Sequence, residues 1–131
     1  MTKAGNLTEI VYEGSIFTIE SYTNTSGKNL TIDWLEQLNI SYQAKFAALF
    51  ARLGDHGKIF NERKFKHLTE TEQLFEFKID SSRIICFFFV GQRVILAHGF
   101  NKKGDKTPKT EIERAHRIKH EFEQRTKYEK K

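Results

Sequence analysis

Residues 74–109 read LFEFKIDSSRIICFFFVGQRVILAHGFNKKGDKTPK, three apolar strand-like runs ending in His98, Phe100 and a cluster of lysines. Buried sheet that runs straight into concentrated positive charge is what a surface that binds or cuts RNA requires. Cations meet phosphates, an aromatic face meets a base, and a histidine moves a proton near pH 7. Metal-free cleavage uses the ribose 2′-OH as nucleophile. It needs a base for that hydroxyl, cations for the phosphorane charge, and an acid for the leaving 5′ oxygen. On the last run, strand alternation groups Val94, Leu96, His98 and Phe100 on one face, so His98 is expected beside the stacking ring of Phe100. Arg83 opens an otherwise apolar strand and must reach solvent or an anion. It either clamps a phosphate with two hydrogen bonds or forms a salt bridge to Asp80 or Glu76. Glu76 and Lys78 share the strand face away from Phe75, Phe77 and Ile79, which makes Glu76 a second candidate base. The expected catalytic set is His98, Arg83, Lys103 and Glu76. The expected RNA-binding set is Phe100, Lys102, Lys106, Lys78, Lys66 and His67, although a solvated loop or edge strand accounts for the lysines and His67 as well.

Other candidates are weaker. His116 and His120 fall four apart on a helix, a metal-compatible spacing without a carboxylate signature, and read as a surface pair. His56 reads as a turn residue, and the single cysteine, Cys86, as a small buried hydrophobe inside IICFFF. No glycine-rich phosphate loop, CxxC, HExxH or GxSxG occurs. Neither a metal nor a cofactor is expected.

These residues must be positioned by a small scaffold. A chain of 131 residues carries one domain, here 1–131, with 1–14 read as an N-terminal extension and 127–131 as a charged tail. Twelve Phe supply a large buried area. Net charge is +5 with a pI near 9.3, and the basic surplus lies from residue 102 onward, which favours an anionic partner. No run approaches the roughly 20 apolar residues that span a bilayer, and the N-terminus lacks a signal-like core, so a cytoplasmic location is expected.

Residues 15–22 alternate as a half-buried strand, with 9–13 able to pair with it across Gly14. Trp34, Leu35 and Leu38 mark a short helix. Tyr42, Phe46, Leu49, Phe50 and Leu53 mark a second, with Ser41 as its N-cap and Gly54 as its stop. Strands are expected over 65–68, 74–80, 83–90 and 94–100, with a turn at Ser81-Ser82 and a hairpin at Gly91-Gln92. Thr107 and Pro108 open a terminal helix, Thr107 as cap, whose stripe is Ile112, Ala115, Ile118 and Phe122. The reading is an α+β domain: an antiparallel sheet, a helical hairpin packed on one face, and the other face forming a concave basic surface.

The element order, and the string Leu74-Phe-Glu-Phe-Lys78, Arg83-Ile-Ile, Phe87-Phe-Phe89, His98-Gly-Phe-Asn-Lys-Lys103 and Lys106-Thr-Pro-Lys-Thr-Glu-Ile112 with Ala115, resemble the RelE/HigB superfamily of bacterial toxins, specifically the phage-derived HigB-like branch. Phe75 stands where that pattern has Trp, and Ser82 where Tyr often precedes the arginine. The resemblance implies a RelE/ParE-like fold with an N-terminal helical hairpin and a C-terminal helix. It also implies a toxin that cuts messenger RNA in the ribosomal A site and is neutralised by an antitoxin, expected to be of helix-turn-helix type. ParE-type toxins acting on DNA gyrase, or a non-cleaving regulatory binder, are the alternatives on the same fold. A phage structural protein would leave the basic His-Gly-Phe corner without a purpose.

Overall fold

The structure is a computed structural model that describes residues 7–68 and 73–129, with side chains described to residue 127. The elements are β1 (Thr8–Glu13), β2 (Thr18–Tyr22), α1 (Leu30–Glu36), α2 (Ile40–His56), β3 (Phe65–His67), β4 (Phe75–Ile79), β5 (Ser82–Phe89), β6 (Arg93–Asn101) and α3 (Lys109–Glu129). Part of the expected N-terminal extension is therefore a strand of the sheet. Of the expected tail, residues 130–131 lie outside the described residues.

The strands form one six-stranded sheet in the order β1-β2-β6-β5-β4-β3. Four of its pairings are antiparallel, but β2 runs parallel to β6, so the sheet is mixed rather than wholly antiparallel. The reason is the return path: α1, α2 and the β3–β5 meander separate β2 from β6, and only a long connection can bring strands together in parallel.

The stretches Ile84–Phe89 and Val94–Ala97 of β5 and β6 are apolar at every position because both sheet faces are covered there. Ile84, Cys86, Val94 and Leu96 face α1 and α2, packing with Phe46, Phe50 and Phe77. Ile85, Phe87, Ile95 and Ala97 face α3, packing with Ile112, Ala115 and Phe122. The second face, expected to be an open concave surface, is therefore largely covered by the terminal helix.

The expected alternation along β6 also fails at one point. Ile85 pairs with His98 but Cys86 pairs with Leu96, leaving Ala97 as an extra residue. This β-bulge shifts the parity, so His98 and Phe100 lie on the α3 face, opposite Val94 and Leu96.

Helix ends differ from expectation for local reasons. Asn39, not Ser41, caps α2 by accepting from the Tyr42 N–H at 2.8 Å. Gly57, at φ 77°, ends it; Gly54 lies inside the helix, and its carbonyl accepts from the Ile16 and Phe17 N–H groups. The first tight turn is Asp80-Ser81, with Asp80 at φ 51°, and Ser82 already belongs to β5.

The glycine of the His-Gly-Phe string has a packing role. A β-carbon on Gly99 would stand 2.3 Å from a Trp34 ring carbon, so the α1 indole rests directly on the β6 backbone. Gly99→Ala should therefore destabilise the protein by about 1–3 kcal/mol through overpacking. Urea unfolding should show it, and the cost of Gly99→Ala should shrink in a Trp34→Ala background, where the ring it meets is gone.

Candidate nucleic-acid interface

Helix α3 starts at Lys109, so the end of the sheet where β4 turns into β5 extends beyond it. The strand side chains there are polar on the α3 side. Lys66 of β3, Glu76 and Lys78 of β4, and Lys102, Lys106 and Thr107 of the β6–α3 connection line a cleft of about 200 Å³, closed by Leu68, Asp105 and Ile112. Pairing sets the arrangement: Lys66 is opposite Glu76 and Lys78 is opposite Arg83, while the Lys102 N–H is fixed to the Ser81 carbonyl at 2.7 Å.

Glu76 forms the floor. It is 2% exposed, its Oε2 accepts from the Thr107 hydroxyl at 2.7 Å, and its Oε1 lies 3.6 Å from Arg83 Nε. Thr107 thus serves Glu76 rather than capping the helix. Sequence reading missed this partnership, along with Asp105, Leu68 and Ile112, because no local pattern links residue 107 to residue 76. Above the floor, burial lowers the pKa of Lys78, and the nearby positive charges of Arg83 and Lys66 lower it further. Among the described residues, Lys66, Lys102 and Lys106 have no ion pair. The arrangement is a cationic mouth over a buried carboxylate, with one ammonium that gives up its proton more readily than an ordinary lysine.

Arg83 does not project into this mouth. Its Nη1 donates to the carbonyls of Asp80 and, at 3.1 Å, Ser82, and the residue is 7% exposed. Of the two readings of Arg83, the structure contains the ion pair with Glu76. Burial lowers its pKa, and Glu76 opposes that shift. Lys103 is exposed and does not line the cleft.

His98 and Phe100 are neighbours, with ring centroids 5.6 Å apart, as expected, but both are buried. Phe100, expected as an exposed stacking face, is 7% exposed and packs in the α3 core. His98 is 1% exposed and donates from Nε2 to Glu111 Oε1 at 2.9 Å, which ties the sheet to the first turn of α3. His98 shares Arg83's sheet face but lies under α3 rather than in the cleft. His67 is exposed and sits across the β3 edge, its ring 5.0 Å from that of Phe75. His116 and His120 are both exposed on α3, and His56 is exposed at the end of α2. Cys86 is buried and its thiol pKa is raised by that burial, in keeping with an inert core residue.

A sheet carrying a helical hairpin, a C-terminal helix and a basic cleft beside that helix has the RelE-like architecture. The chain belongs to the family of phage-derived Gp49-like proteins (DUF891), whose profile matches residues 33–120, from α1 through most of α3 and across the whole cleft. That family belongs with the RelE/HigB-type toxins of toxin–antitoxin systems, and it implies an antitoxin partner. A search of curated proteins finds no match to the chain. Among the described residues, no helix is long and apolar enough to cross a membrane.

The buried His98 makes stability depend on pH. Burial, and secondarily the positive charge of Arg114, holds its pKa down at about 4 against an ordinary 6.5, with Glu111 opposing the shift. The unfolded ring takes up its proton first as pH falls. Stability associated with the neutral ring is therefore complete above pH 6.5 and is lost as pH falls toward 4, by up to about 3 kcal/mol. Urea unfolding between pH 7.5 and 4 should show this slope, and His98→Gln should flatten it.

Proposed function

We propose that this toxin is a ribosome-dependent messenger RNA endonuclease that cuts in the ribosomal A site by 2′-OH attack, without a metal ion. One observation carries the reading: Lys66, Lys78, Lys102 and Lys106 converge over the buried carboxylate of Glu76. The scissile phosphate sits among the lysines. Glu76 takes the proton of the 2′-OH as its oxygen bonds to phosphorus. The P–O5′ bond then breaks, and the leaving oxygen takes a proton from the Lys78 ammonium, whose lowered pKa suits that transfer. The products are a 2′,3′-cyclic phosphate and a 5′-OH. Lys66, Lys102 and Lys106 stabilise the phosphorane, which carries more negative charge than the ground state.

Proton transfer is assigned to Glu76 and Lys78 because His98, the candidate favoured from sequence, is shielded by α3. His98 acts instead as a positioning residue, fixing the start of α3 and with it the Thr107 hydroxyl on Glu76. Arg83 does the same from beneath, by balancing the Glu76 charge. The antitoxin, of helix-turn-helix type, covers the basic face with acidic groups.

Expression of the chain alone should arrest growth, and co-expression of a neighbouring helix-turn-helix protein should relieve it. Primer extension should find cuts in a message only when that message is translated. Glu76→Gln keeps the Thr107 hydrogen bond but cannot accept a proton, and should slow cutting by about 10²–10⁴-fold. Lys102→Ala and Lys106→Ala should weaken RNA binding and each lower the salt dependence by about 0.7 in log–log slope, the value for one phosphate on a single strand. Full-rate cutting by both Glu76→Gln and Lys78→Met would overturn the mechanism. Growth arrest with inhibited DNA supercoiling and intact messages would support the gyrase reading instead.

A further inference from the structure

Across the β3 edge from the lysine cleft lies a second hollow of about 370 Å³, on the α2 side of the sheet. Its lining includes Phe60, Phe65, His67, Phe75 and Phe88. The Phe65 and Phe75 rings are nearly parallel at 5.5 Å and 6°, and His67 lies 5.0 Å from Phe75. Phe60, on the connection between α2 and β3, is 87% exposed, with Lys58 Nζ 5.6 Å from its ring centre. Strand alternation explains the placement. Phe65 and His67 project to this side of the three-residue β3 and Lys66 to the other, yet the long Lys66 side chain borders both hollows.

We propose that this aromatic hollow takes an unstacked nucleobase of the same RNA strand whose phosphate lies in the lysine cleft, the strand crossing the sheet edge at Lys66. The inference rests on the proposed RNA-cutting function and adds to it a site of base recognition. Three features select a base over an apolar protein segment. The lining is largely aromatic, with the exposed Phe60 ring free to stack, which suits a π-system. The rim carries Lys58, Lys66 and the His67 ring against one carboxylate, Glu62, which suits a phosphate-bearing ligand. The hollow is also continuous with the phosphate cleft through a shared residue. An added partner strand is a poorer fit, because β3 offers only three residues as a template.

The test uses the full chain carrying Glu76→Gln, expected to slow cutting, and two probes: an adenosine hexamer and an abasic ribose hexamer with the same phosphates. Affinity is read by fluorescence anisotropy at fixed salt. The adenosine strand should bind about 5- to 150-fold more tightly, the range for stacking one base on an aromatic side chain. Phe60→Ala is exposed and carries little packing, so it should remove most of that difference and leave the abasic strand unchanged. Phe60→Trp should keep the difference, with tryptophan emission quenched only by the adenosine strand. Lys66→Ala should weaken both probes. Equal affinity for the two probes, with the abasic strand bound through the lysines, would overturn the base site and leave the cleft reading intact. Binding of neither strand would remove both. Concentration-dependent self-association that Phe60→Ala abolishes, without any base-dependent binding, would assign the hollow to a second copy of the chain and overturn the proposal.

Discussion

A sheet with apolar side chains on both faces must be covered twice, and the rest of this molecule follows from how that is done. The α1–α2 hairpin covers one face and α3 the other. Because α3 begins only at Lys109, its apolar stripe from Ile112 to Phe122 leaves one end of the second face open. At that end, strand residues can be polar without being covered by the helix. Glu76, Lys78 and Arg83 occupy it, and the connection from β6 to α3 brings Lys102, Lys106 and Thr107 around the same opening. The site is the part of the sheet that the helix does not reach.

Gathering four lysines at such an opening costs energy: burial first, then the positive charges of Arg83 and Lys66, lowers the pKa of Lys78. Glu76 offsets part of the repulsion from below but is itself already shared with Arg83 and Thr107. On the proposed mechanism, an incoming phosphate would relieve the remainder, and a phosphorane would relieve it further because its charge is greater. Under that mechanism, a cluster strained by its own charge would favour the transition state over the ground state.

The cations elsewhere are used differently. Arg93 binds Glu20 through two hydrogen bonds of 2.7 and 2.8 Å and lies over the Phe89 and Phe122 rings, fastening β2 to β6. Arg125 donates to the Tyr22 hydroxyl and the Thr23 carbonyl. These arginines have partners in the fold, whereas Lys66, Lys102 and Lys106 have no ion pair among the described residues. Positive charge that the fold does not use is available to a ligand.

The sequence by itself determined the elements and most of the cleft. Alternation, turn residues and the change to helical spacing located the strands and helices. The polar face of Glu76 and Lys78, and the lysines after Phe100, were legible because each depends on neighbours within a few residues. Even the coverage of the second face was written in the apolar stretches Ile84–Phe89 and Val94–Ala97, which a sheet with one wet face does not carry. Tertiary structure alone decided which groups line the cleft. One extra residue, Ala97, changed the parity of β6 and placed His98 and Phe100 under α3, since a bulge is a property of two paired strands and not of one. The bond from Thr107 to Glu76 and the ion pair of Arg83 likewise join residues whose proximity only the folded sheet creates. Local periodicity fixes where a side chain can point, but burial depends on what the rest of the chain lays over it.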